Sequence, residues 1–153
     1  MRVSTFPKHT NLWLAEMPHL EFFVVSEEVS VDQATNRASV FSILEQIKSQ
    51  HFPVIIGKCV AVSLWQRQQG EEDRDFQATL EIILPNNQTH QLQTNFRLTR
   101  ARHRIINRIQ GLPITGPGEL RFNISVNGVH AATHVVSVEN AAAEIPNAPG
   151  VTH

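Results

Sequence analysis

The chain has 153 residues and a mass of 17.2 kDa, which fits one domain around one core, since domains cluster near about 100 to 150 residues. Its residues are 41% hydrophobic and 18% charged, the composition of a folding chain, and thirteen Lys+Arg against fourteen Asp+Glu leave a formal charge of -1. That balance supplies no global field for a polyanion or an anionic membrane, so any electrostatic function must be local.

A single cysteine, Cys59, rules out an internal disulfide and a cysteine-only zinc site, and it predicts a reducing, cytoplasmic setting. Near the start, Pro7, Lys8 and His9 interrupt the chain before an apolar run of about 7–15 residues can form a signal segment. The longest apolar stretches, Phe22 to Val25 and Pro53 to Ile56, are strand-sized, far short of the about 18 residues of a membrane span. The expectation is a soluble protein that does not engage a membrane.

Residues 1–18 read as an irregular arm between Pro7 and Pro18, with Leu12, Trp13 and Leu14 available to pack on the body or to dock a partner. From Leu20 onward, short apolar or alternating runs are separated by turn chemistry about every ten residues, the pattern of a sandwich or barrel. Residues 20–31, rich in aromatic and β-branched side chains, predict a strand, and the polar segment 32–37 can reverse the chain. Residues 38–49 are ambiguous: Val40, Ile43 and Ile47 with Phe41 and Leu44 suit a helical face, whereas the preceding turn and Phe52-Pro53 favour a strand with an irregular continuation. In residues 54–67, Val60, Val62 and Leu64 alternate with Cys59, Ala61, Ser63 and Trp65. Both faces are apolar enough to be covered, so this is a central strand.

After a solvated loop over 68–75, Phe76, Ala78, Leu80, Ile82 and Leu84 alternate with Gln77, Thr79 and Glu81, the clearest strand of the chain. Pro85-Asn86-Asn87 turns it into residues 88–99, where Leu92, Phe96 and Leu98 share a face. A further strand is expected over 103–114. Then Leu120, Phe122, Ile124 and Val126 lead into Asn127-Gly128, which supplies the two positive-φ positions of a type I′ hairpin to residues 129–138. The last residues, 140–153, carry two prolines and a glycine and are expected to form a flexible tail. The predicted fold is all-β: an antiparallel β-sandwich, immunoglobulin-like or jelly-roll-like, of about seven or eight strands, with an arm over 1–18, the domain over 19–139 and the tail over 140–153.

The opening Phe22-Phe23-Val24-Val25, then Thr35-Asn36-Arg37-Ala38-Ser39-Val40-Phe41-Ser42-Ile43-Leu44, Phe52-Pro53, Val60-Ala61-Val62, and Pro117-Gly118-Glu119-Leu120-Arg121-Phe122 running into Val126-Asn127-Gly128 together resemble a bacterial family of uncharacterised β-sandwich domains of unknown function. The likeness covers about three-quarters of the chain and consists of strand and turn elements. It implies a fold and transfers no catalytic residue.

Several constellations bear on chemistry. His130 and His134 have ligand-like spacing, but four extended residues separate them by roughly 13 Å, whereas a shared zinc needs about 2 Å to each nitrogen. Cys59 sits in an apolar strand and reads as buried packing rather than as a nucleophile. Glu71, Glu72, Asp73 and Asp75 lack the spacing of a calcium loop and read as a solvated turn. No cofactor, no metal site and no enzymatic motif is expected.

The feature furthest from chance is residues 96–108, which hold Arg97, Arg100, Arg102, Arg104 and Arg108, five of the thirteen cations. Arg100, Arg102 and Arg104 would project to one side of an extended chain. Such a stripe can meet an acidic protein or the phosphates of a nucleic acid or small ligand. Equally, it can pair with the molecule's own acidic loop or guard a sheet edge. Phe96 is the one aromatic side chain nearby and the chain has no tyrosine, which argues against stacking on single strands. The reading that follows is a non-catalytic cytoplasmic module that binds another protein or its own copy. Binding of nucleic acid or a phosphorylated small ligand through the arginines is the alternative.

Overall fold

The computed structural model describes residues 17–70 and 72–141. Among them are nine strands: β1 (His19–Val31), β2 (Ala38–Ile43), β3 (Gln46–Ser49), β4 (Val54–Gln66), β5 (Asp75–Ile83), β6 (Thr89–Arg97), β7 (Arg102–Ile114), β8 (Gly118–Val126) and β9 (Val129–Asn140). They form two layers, a four-stranded sheet in the order β2-β1-β4-β7 and a five-stranded sheet in the order β3-β9-β8-β5-β6. Every neighbouring pair is antiparallel except β3 with β9.

The core between the layers follows from alternation. Phe76, Ala78, Leu80, Ile82 and Leu84 of the β5 run are all buried, and they meet Cys59, Ala61 and Trp65 of β4 across the interlayer space. On β7, Ile105 and Ile109 point inward, and Gly111 at φ +68° resets the alternation so that Leu112 and Ile114 return to the core. Each large side chain withdrawn here from water contributes about 1.5–3 kcal/mol. Trp65 is wholly buried, and its indole N–H donates to Ser63 Oγ at 2.9 Å, so its polar atom is satisfied inside the core. The Asn127-Gly128 turn has φ of 47° and 82° and joins β8 to β9, as its dipeptide predicts.

Segment 38–49 resolves into two strands on different sheets. β2 pairs with β1, Leu44 donates its N–H to Val25 O, Ser137 donates its N–H to Glu45 O, and β3 then runs parallel to β9. The helix-like spacing has a tertiary origin. Val40 packs on a valine cluster outside the four-stranded sheet, whereas Leu44 and Ile47 pack on the interlayer core after the crossing. Two layers, rather than one helical face, need those apolar positions.

The β1–β2 hairpin does not continue in the plane of its sheet. Phe22 pairs with Leu64, which pairs with Arg104. A straight hairpin, rising about 3.3 Å per residue, would carry its tip some 30 Å beyond Phe22. Instead the tip returns to that level, because Arg104 Nη2 donates to the carbonyl of Asn36 at 2.8 Å. The bend coincides with Ser42 at φ 58° and with the missing pair between Glu27 and Ser42. Beyond it, Val29 and Val40 cover Val60, Val62 and Ile106 on the outer face of the sheet. The hairpin is therefore a flap, and it explains why β4 is buried on both faces.

Candidate functional site

The five arginines do not lie on one strand. Arg97 ends β6 in the five-stranded sheet, Arg100 lies in the loop that crosses between the layers, and Arg102, Arg104 and Arg108 lie on β7 in the other sheet. The single extended stripe expected over 97–108 is thus divided by the crossing loop. Ile105 and Ile109 take the inner face of β7, which leaves Arg102, Arg104 and Arg108 on its outer face.

Their partners come from distant parts of the chain. Arg97 forms a bidentate pair with Asp75 directly across β5 and β6, at 2.8 and 3.0 Å. Arg102 pairs with Glu21, whose position follows from a bulge between Leu20 and Phe22 that re-aims one residue of β1. Glu28 lies between two cations, at 2.7 Å from Lys58 Nζ and 3.4 Å from Arg108 Nη1. Hydrogen bonds from Arg97, Arg102 and Lys58 hold the carboxyls of Asp75, Glu21 and Glu28, respectively, below their ordinary range. The acidic loop supplies Asp75, with Asp73 adding to the field at Arg97, and Glu21 and Glu28, both on β1, supply the other partners.

Arg100 and Arg104 differ from these. Arg104 spends its hydrogen bonds on the neutral oxygens of Asn36, and Arg100 has no partner among the described residues. Both line a cavity of about 430 Å³ together with Arg102, His103, Thr99 and Asn36 over a floor at Leu64. The crossing loop is held in place by Arg67, whose backbone N–H donates to Ala101 O at 2.8 Å and whose guanidinium donates to Thr99 O at 3.2 Å. His103 stacks on Phe96 at 5.1 Å, and burial lowers its pKa, which favours the neutral ring. Arg100, Arg102 and Arg104 therefore do converge, through the fold rather than along a strand.

The remaining candidates are placed as follows. Leu12, Trp13 and Leu14 lie outside the described residues. Cys59 is 1% exposed, and burial pushes its thiol up to about 11, the state of an inert core cysteine. His134 sits against Leu44 O at 2.6 Å and edge-on to Phe122, while His130 contacts Thr133 Oγ1. Among the described residues no three His, Cys, Asp or Glu side chains come together as metal ligands. Sequence reasoning passed over Asn36, whose signal was its place in a turn, and the half-exposed Phe41 and Ile43 of β2.

A family model, that of the family of unknown function DUF6941, matches residues 21–139. The chain belongs to that family. The match ends within one residue of the last position of β9 and starts two residues into β1, so it takes in the flap, the crossing loop and the arginine cavity. No curated protein matches the chain. Among solved structures, an immunoglobulin-like protein from Pseudomonas aeruginosa is 10% identical with a TM-score of 0.39, over 80% of this chain and 96% of that one. The alkylpurine DNA glycosylase AlkC of Pseudomonas fluorescens, bound to DNA containing an abasic site analog, is 11% identical with a TM-score of 0.42 over 76% of this chain. The present chain spans 30% of the glycosylase.

Proposed function

We propose that the protein is a non-catalytic bacterial binding module of the cytoplasm that docks another protein chain on the exposed side of its β1–β2 flap. The observation that carries this reading is the exposure of Phe41 at 50% and Ile43 at 49% on β2, an edge strand whose outer backbone has no sheet partner among the described residues. Large apolar side chains on an open edge are an invitation to pairing or burial by a partner.

Comparison of the four sheet edges supports that choice. β6 and β7 meet along one side of the sandwich, where Thr94 reaches Asn107 at 3.3 Å and Phe96 stacks on His103, so those edges screen each other. β3 is four residues long and offers little to pair with. Among the described residues, β2 alone of these edges combines an open backbone with two half-exposed apolar side chains. A continuous nucleic-acid track has less support, because Arg97, Arg102 and Arg108 already face carboxylates. Placement in the cytoplasm rests on the lone cysteine being carried as a buried thiol, and the bacterial setting rests on the family resemblance.

The test is a photo-crosslinking side chain in place of Phe41, with the same group in place of Val135 on the opposite sheet as control, in the native host. One protein captured reproducibly at position 41, and lost on introducing Ile43→Asp, supports the reading. Equal capture at both positions refutes it, and capture of the chain's own copies alone replaces it with self-association. The arm is a second proposed contributor: removal of residues 1–18 is expected to weaken the association without unfolding the domain, at a small loss of thermal stability because Met17 packs against the interlayer core.

A further inference from the structure

We infer that the cavity between the flap tip and the start of β7 is a binding site for the phosphate group of a small phosphomonoester, independent of the docking face at Phe41 and Ile43. The charge balance comes first. Three guanidinium groups, of Arg100, Arg102 and Arg104, line the cavity, and Arg67 stands behind the loop that carries Arg100. One carboxylate, Glu21, is paired among them, with Arg102. His103 is turned to Phe96, on which its ring stacks, and is left out of this balance. Two positive charges therefore remain uncompensated within the described residues, which matches a phosphomonoester dianion rather than a single carboxylate.

The donors are also placed in advance. Arg104 is fixed by its bonds to Asn36 O and Oδ1, and a guanidinium with two N–H groups so used keeps three more. Arg100, which also lines the cavity, has its guanidinium unused among the described residues. Because the crossing loop is tied at both Thr99 and Ala101 by Arg67, a ligand need not order it, and the ordering cost that weakens binding to mobile loops is small here. Arginine suits this task because its planar fork takes two phosphate oxygens at once.

Size and surroundings decide between a small ligand and a polymer. The cavity holds about 430 Å³, within the range of about 300–1,000 Å³ for small-molecule sites. Leu64 offers apolar surface to the remainder of the molecule. A nucleic-acid backbone would need positive charge at successive phosphates, yet the flanking Arg97 and Arg108 are each opposed by a carboxylate, Asp75 and Glu28. The positive charge is a single focus, not a track.

Calorimetric titration of the full chain with AMP, adenosine, inorganic phosphate and a short single-stranded oligodeoxythymidine tests the site. AMP and phosphate should bind and adenosine should not. Arg100→Gln, at a side chain with no structural partner among the described residues, should weaken AMP binding by about tenfold or more, the effect of losing a charge-assisted pair. Arg97→Gln should leave it unchanged. Arg104→Gln should weaken AMP and also loosen the flap, so Arg100→Gln is the deciding variant. Equal binding of AMP by wild type and Arg100→Gln, binding of adenosine as tight as AMP, or no binding of either phosphate probe overturns the proposal. Oligonucleotide binding that falls steeply with salt and weakens on Arg97→Gln and Arg108→Gln overturns it in favour of a nucleic-acid surface.

Discussion

The inner and outer faces of the four-stranded sheet are covered by different means. The inner face meets a second sheet, and a continuous cluster of twenty-one buried side chains among the described residues fills the space between them. The outer face is covered by a folded-back hairpin through three buried valines, Val29, Val60 and Val62, with Val24, Val40 and Ile106 partly buried around them. Charged pins at its rim, Glu28 to Lys58 and Arg108 and Asn36 to Arg104, complete the attachment. The difference teaches that the flap draws its apolar cover from the sheet beneath it, whereas the interlayer core is assembled almost entirely from strands outside the flap. Stability should be graded accordingly, with local opening of residues 26–43 well below the cost of global unfolding.

The largest expected effect lies in the interlayer core. Phe122→Ala, at a wholly buried side chain, should cost about 3–5 kcal/mol in denaturant unfolding. A loss under about 1 kcal/mol would mean that the two-sheet core does not dominate. Next comes Ser63→Ala, which leaves the buried Trp65 N–H without its acceptor and should cost about 1–3 kcal/mol.

On the flap, Val29→Ala removes two buried carbons and should cost about 1.5 kcal/mol. The loss should appear as faster amide exchange confined to residues 26–43. Exchange that accelerates equally in β5 and β8 would show that the flap and the sandwich unfold as one unit. Glu28→Gln should loosen the same segment further at low salt than at high salt, with the global transition unmoved, as expected of an exposed ion pair.

Two pH windows sharpen the distinction. The lowered pKa of His103 means that the unfolded chain takes up a proton before the folded one. Stability is therefore full above the ordinary value of 6.5 and declines as pH falls through it. His103→Gln should flatten that slope. Glu21, Glu28 and Asp75 have folded pKa values below ordinary. Their contribution is present above the carboxylate range and lost as pH falls through it, so the flap, which Glu28 pins, should lose protection against exchange, relative to the intrinsic rate at each pH, at acid pH while the core keeps its own. Finally, Cys59 should resist alkylation in the native protein at pH 8 and react on unfolding, since its thiol is buried and pushed up to about 11.

Much of the strand content was legible because a strand in a two-layer protein writes its burial into every second residue. The β5 alternation from Phe76 to Leu84 and the Asn127-Gly128 turn needed no tertiary information. Residues 38–49 were ambiguous because their apolar side chains serve two layers in succession, a requirement that mimics a helical period. The bend of the flap was invisible for a related reason. A strand that folds over its own sheet keeps the same alternation as one that runs straight, and the left-handed position falls on Ser42 rather than on a glycine. The candidate site was half legible: the arginines stood out by density, but which of them remain available did not, since Glu21 and Glu28 lie 81 and 80 residues from Arg102 and Arg108.

By itself, the sequence determined an all-β sandwich, its principal strands, its tightest hairpin and an unusual concentration of arginine. These are local properties, set by side-chain periodicity and turn conformation within a few residues. Only the tertiary structure decided that Arg97 and Arg108 are opposed by acids while Arg100 and Arg104 face a cavity. Electrostatic pairing depends on distance in space, and in this chain the partners are brought together by a bulge at Glu21 and a bend at Ser42 that leave little trace in the pattern of residues.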